Sequence, residues 1–248
     1  MKLIAIVSVL GAVALLPAQA QEDDLPSGAV AIETQLVGPD RSLVLWILNP
    51  TKHPRDTPDE FYTCPEHTRG SYYSGPTRVS LVNTKTGKVI NTVKILSDDD
   101  GAADEFDIPY EIVPDYYYRV DGAAKGKEGK PTVMWLKDYN GDGRPLEFAL
   151  FDAEACMGLA TALFGYSERQ DKVIQYQTNL AVTNSKGKRT RQTSGWVDYL
   201  FSKKPVSPGV WKYEIDYRGR AGDLAKYEVR YHKETEKFQG KLVEKGGE

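Results

Sequence analysis

The chain has 248 residues, with 32 Lys plus Arg against 35 Asp plus Glu and a formal net charge of −3. That weak negative balance lacks the basic face that a phosphate backbone requires, so nucleic acid is not an expected partner. The three His residues show neither H-x-x-x-H nor H-E-x-x-H spacing, which leaves a zinc hydrolase without support.

The N-terminus, MKLIAIVSVLGAVALLPAQA, places Lys2 before an apolar run from Leu3 to Leu16 and ends on Ala18-Gln19-Ala20. This is the pattern of a secretory signal peptide over 1–20, cleaved after Ala20, for the periplasm or the medium. The run is shorter than the roughly 20 residues a membrane span needs, although a retained anchor is the competing reading. No second apolar segment reaches that length, so no membrane insertion is expected. Removal of 1–20 takes away Lys2 and no acid, moving the net charge to −4. In an oxidising compartment the two cysteines, Cys64 and Cys156, are expected to pair. A loop of that length would stabilise the fold by roughly 4–5 kcal/mol on the chain-entropy model. Two separate buried thiols are the alternative; a Cys64-x-x-His67 metal site falls short of a zinc pattern.

After a polar tail at 21–29, the chain reads as strands. RVSLVNTKTGKVINTVKI forms a hairpin, with Gly87 at the turn and Val79, Leu81, Val89, Val93 and Ile95 on core faces. EFDIPYEI, YYYRV, TVMWL, LEFALF, TALFGY, KVIQYQTNL and WVDYLF follow, short β-branched or aromatic runs separated by Gly, Pro and Asp. Leu146 to Phe164 is rich in Ala, Leu and Glu and reads as a strand and then a short helical turn near 154–158. SKGKRTRQTS (185–194) reads as a solvated hairpin tip, or as a docking patch for an acidic glycan or lipid. In WKYEIDYR, Trp211, Tyr213, Ile215 and Tyr217 alternate with charged residues. In AKYEVRYH, Ala225, Tyr227, Val229 and Tyr231 do the same, so the two form a second hairpin. The punctuation predicts an all-β, antiparallel β-sandwich rather than a parallel sheet with helices. RVSLVNTKTGKVINT, DDDG and EFDIPYEIVPDYYYRV together resemble the transthyretin-like or collagen-adhesin B-type sandwiches over 77–121. The resemblance implies the fold and no chemistry. The Gly- and Lys-rich stretch 121–131 offers a boundary between two stacked sandwich subdomains, 30–125 and 131–248, or else a long loop within one domain.

DYNGDG (138–143) has the one spacing that suggests definite chemistry. Calcium takes six to eight oxygens. The D-x-N-x-D-G pattern supplies side-chain oxygens from Asp138, Asn140 and Asp142, a bend at Gly143, and the Arg144 carbonyl beyond it. To that point the segment resembles the calcium loops of EF-hands, dockerins and FG-GAP-type blades. It departs where an EF-hand carries a bidentate Glu, since Ala149 stands there. A strand–loop–strand calcium site completed by Glu147, by Asp152 or by a ligand from elsewhere is therefore the expectation. A plain hairpin turn is the competing reading, because Asn-Gly and Asp-Gly are strong turn signals. The acidic stretch SDDDGAADEFD (97–107) matches no loop pattern.

No catalytic motif emerges. GYSERQ (165–170) lacks the second glycine of a nucleophile elbow, and no phosphate cradle of Walker or Rossmann type is present. Asp59, Glu60 and Glu66, with His67 beside them, read as a charged loop. The 15 Tyr and 4 Trp would suit a carbohydrate-binding platform, or would simply fill strands. The expectation is a secreted, calcium-stabilised sandwich with a binding or structural role; the sequence does not fix its partner, a glycan or cell-surface polymer being one candidate. A carboxylate-dependent glycan hydrolase on the same fold is the alternative.

Overall fold

The computed structural model describes residues 24–53, 72–96, 104, 106, 108–109, 133–152, 158–218 and 222–246. The signal segment, both cysteines, residues 154–157 of the expected helical turn, the YYYRV run and the 121–131 stretch lie outside them. The described chain is built from strands: β1 (Ala29–Gly38), β2 (Arg41–Leu48), β3 (Thr51–His53), β4 (Tyr72–Ser74), β5 (Thr77–Asn83), β6 (Val89–Ile95), β7 (Ile108–Pro109) and β8 (Glu147–Asp152). There follow β9 (Ala160–Ser167), β10 (Lys172–Gln175), β11 (Thr178–Thr183), β12 (Arg189–Ser194), β13 (Trp196–Asp198), β14 (Val210–Asp216), β15 (Leu224–His232) and β16 (Lys237–Lys245). Among the described residues a 3-10 turn, Leu200–Ser202, interrupts them. The fold is all-β and sandwich-like, with mainly antiparallel pairing.

Three sheets stack as layers. The first has the order β1-β2-β5-β6. The second has β10-β9-β13, with β8 on β9, and the third has β12-β11-β16-β15-β14. β3, β4 and β7 make a small fourth sheet. Among the described residues one pairing is parallel, β11 with β16, in register from Thr178↔Phe238 to Thr183↔Val243.

Side-chain alternation in the second sheet explains the layering. On β8, Phe148 and Leu150 enter one core, with Leu43, Leu45, Val79 and Leu81 of the first sheet. Ala149 and Phe151 point the other way, into a second core with Trp211, Tyr227 and Phe238 of the third sheet. β9 divides likewise, Ala162 and Phe164 to the first core and Leu163 to the second. A sheet covered on both faces has no polar phase, so its strands read as continuous apolar runs. Each fully buried large side chain contributes roughly 1.5–3 kcal/mol from removal of apolar area from water. The first core draws residues from both sides of the 121–131 stretch.

Local corrections follow from the ladders. Residues 133–136 of TVMWL are not a strand: Val133 and Met134 are buried, and their backbone N–H groups donate to Glu33 Oε2 at 2.7 and 3.1 Å. A side-chain carboxylate replaces the ladder there. In the 77–95 hairpin, pairing jumps from Leu81↔Asn91 to Val82↔Val89. The irregularity puts Ile90, rather than the expected Val89, against the first core. The C-terminal hairpin has the expected faces, pairing Trp211↔Val229, Tyr213↔Tyr227 and Ile215↔Ala225.

Candidate functional site

The loop 138–146 leaves and re-enters the second sheet at one antiparallel bridge. Lys137 N donates to Glu147 O at 2.7 Å and Glu147 N returns to Lys137 O at 3.3 Å. Inside that closure Asp138 acts as the hub. Its Oδ1 accepts from Gly141 N at 2.7 Å and Asp142 N at 3.0 Å, and its Oδ2 accepts from Gly143 N at 2.9 Å. A short acidic side chain is suited to this, since it can reach successive backbone donors just downstream. Gly141 (φ +79°) lies against the 208–209 backbone, where an added Cβ would stand 2.6 Å from Gly209 N. That close approach seats the loop on the turn leading into β14 and requires glycine.

Asn140 and Glu147 form the interior of the loop. Asn140 Nδ2 donates to Asp142 Oδ2 at 3.1 Å and to Glu147 Oε1 at 2.9 Å, while its Oδ1 accepts from Asp142 N at 2.8 Å. Glu147 is wholly buried, and its Oε2 accepts from Tyr139 N at 3.1 Å. The Tyr176 hydroxyl approaches Oε1 at 3.4 Å. Burial pushes the Glu147 carboxyl up to about 8; the Tyr139 N–H opposes the rise, and the charges of Asp142 and Asp138 add to it.

The structure therefore gathers Asp138, Asn140, Asp142 and Glu147 at one place. Arg144 is arranged differently. Its carbonyl accepts from Leu146 N at 3.0 Å and its guanidinium pairs with Glu168. Asp152 stands at the far end of β8 from the loop. Among the described residues, no three His, Cys, Asp or Glu side chains are grouped as metal ligands as they stand. The donor set here is mixed, with an amide nitrogen occupying the point between two carboxylates.

Beside the loop opens a polar cavity of about 220 Å³, bordered by Asn140, Asp142, Arg144, Tyr176, Tyr231 and Glu236. Glu236 is buried and tightly held: Ser167 Oγ donates to it at 2.5 Å, Gln170 Nε2 at 2.6 Å and Arg169 at 2.8 Å. Sequence reasoning missed this clamp, because its partners lie on the turn after β9 and the turn before β16. GYSERQ supplies Ser167, Arg169 and Gln170 to it. No protein-family model, curated protein or solved structure matches this chain. Its chemistry must be read from its own residues.

Tyr176 and Tyr227 are buried, and Tyr213 and Tyr217 pack against the second core. The exposed large apolar side chains among the described residues are Val30, Leu36 and Val206.

Proposed function

We propose that this is an exported, non-catalytic β-sandwich protein with a binding or structural role, in which the loop from Asp138 to Glu147 takes a calcium ion. The observation that carries the reading is the Asn140 amide, whose Nδ2 donates to both Asp142 and Glu147. Two acids converge there, and a third, Asp138, is near enough to raise Glu147 further. A hard cation is the ligand that such oxygens attract best. Amide nitrogen and oxygen occupy interchangeable positions. Turning the Asn140 side chain over would replace a donor by a third oxygen at the same point. The exchange gives up the bond that Asn140 Oδ1 accepts from Asp142 N, but that N–H also donates to Asp138, which holds the loop backbone. Pairing of Cys64 with Cys156 and glycan recognition belong to the same reading, supported by the compartment and by the aromatic content of the sequence.

Calorimetric titration of the purified protein with calcium, and separately with magnesium, tests the ion. Saturable calcium binding at pH 8 that is lost in Glu147→Gln supports the reading. Absence of binding, or unchanged binding in that variant, would make the loop a turn completed by its own hydrogen bonds.

A further inference from the structure

A second cavity, of about 230 Å³, lies on the inner face of the third sheet, where it meets β13. Its floor is apolar, from Leu180, Ala225 and Leu242, and its walls carry Tyr217 and Tyr227; Trp196 borders it, with its ring in the first core against Phe106. Three acids line it, Asp198, Asp223 and Glu244, and among the described residues no Lys or Arg does. Strand alternation produces that imbalance. Tyr227 and Glu244 share the inner face, while Lys226 and Lys241 fall on positions of the opposite phase of β15 and β16.

Asp198 is fixed by tyrosines. Tyr217 Oη donates to Oδ2 at 3.0 Å, Tyr227 Oη to the same oxygen at 3.3 Å, and Tyr213 Oη to the Asp198 carbonyl at 2.7 Å. Tyr213 and Tyr227 stack with centroids 4.7 Å apart and planes 3° apart. Among the described residues, Oδ1 of Asp198 receives no hydrogen bond, and neither Asp223 nor Glu244 forms an ion pair. Carboxylates without a cationic partner among the described residues, in a cavity with aromatic walls and an apolar floor, match one ligand chemistry. Aromatic faces attract cations, and the attraction strengthens as water is removed. A sugar would satisfy the acids but leave their charge uncompensated, and an anion would be repelled.

We propose that this cavity binds a small organic cation, an ammonium or guanidinium group on an apolar body, with Asp198 as its counter-ion. The site is separate from the 138–147 loop and does not depend on calcium.

Calorimetry at low ionic strength with n-butylammonium, ethylguanidinium and neutral n-butanol tests it, with an N-acetyl-lysine amide to distinguish a peptide side chain from a free amine. The expected result is saturable binding of the cations, with butanol at least about tenfold weaker. Asp198→Asn, which keeps an acceptor for the two tyrosines, should weaken the cations by about tenfold and leave butanol unchanged. If that variant fails to fold, Glu244→Gln at the cavity wall carries the test, with a smaller loss for cations alone. Butanol binding as well as butylammonium, cations binding equally in a folded variant, or no saturable binding of any cation would overturn the assignment. Tighter binding of the lysine amide than of butylammonium would support the site and identify its source as a peptide side chain.

Discussion

Asn140 and Glu147 are joined by a 2.9 Å hydrogen bond from Nδ2 to Oε1, across the loop and onto the first residue of β8. The bond gives a buried carboxyl a partner with no charge of its own. Replacing Asn140 by Asp tests what belongs at that point. Without metal, Asn140→Asp removes the donor and adds a like charge, and should lower stability by about 1–3 kcal/mol. With calcium, the same variant should bind more tightly than wild type. Chemical denaturation in chelator and in calcium reads both effects.

Acidity at Glu147 sets a pH dependence of definite sign. Its carboxyl lies at about 8 in the folded protein, against an ordinary 4.5. Over that window the folded state holds a proton that the unfolded state has released, so in chelator stability falls as pH rises from 4.5 to 8. The slope for one proton is at most ~1.4 kcal/mol per pH unit. Glu147→Gln should flatten that part of the profile. Calcium displaces the proton, so its stabilising effect should grow with pH over the same range.

Two glycines of the loop should respond unequally. Gly143 has φ +89° and open space around a built Cβ, so Gly143→Ala should cost about 1–2 kcal/mol, the left-handed conformation alone. Gly141→Ala adds contact at 2.6 Å with both Gly209 N and the Pro208 carbonyl carbon, and should cost clearly more. Urea midpoints of the two variants provide the comparison.

The layered fold makes its own prediction. Phe148 and Leu163 are both fully buried on adjacent strands of the middle sheet, one in each core. Phe148→Ala should cost about 3–5 kcal/mol and Leu163→Ala about 2–5 kcal/mol. Since the sheet is shared, both should shift one unfolding transition of the described layers. Calorimetric scans with two transitions, each moved by a single variant, would contradict this.

What the sequence disclosed follows how each face is solvated. The 210–232 hairpin has one face in water, so its period-two pattern revealed pairing and core side together. Leu146 to Phe164 did not, because β8 and β9 are buried on both faces and their apolar residues occupy both phases. Ile90 could not be foreseen, since an irregularity in pairing leaves no period in the text. β1, β2 and β16 were not singled out, and the stretch read as a hairpin tip carries β12, whose Arg189 to Gln192 are exposed and polar, without an apolar phase to read. At the loop, spacing grouped Asp138, Asn140 and Asp142, and Glu147 was the nearest acid to complete them. The bridge back to Lys137, the amide between two carboxylates and the clamp on Glu236 depend on contacts between distant segments. Such contacts have no local signature.

The most direct measurement is thermal unfolding of the purified protein in calcium and in chelator, at pH 8, for wild type and Asp142→Ala. A site filled at 100 times its dissociation constant should add about 2.7 kcal/mol. The account predicts a higher midpoint in calcium for wild type and no calcium-dependent difference in the variant. Equal midpoints for wild type in calcium and chelator would contradict it.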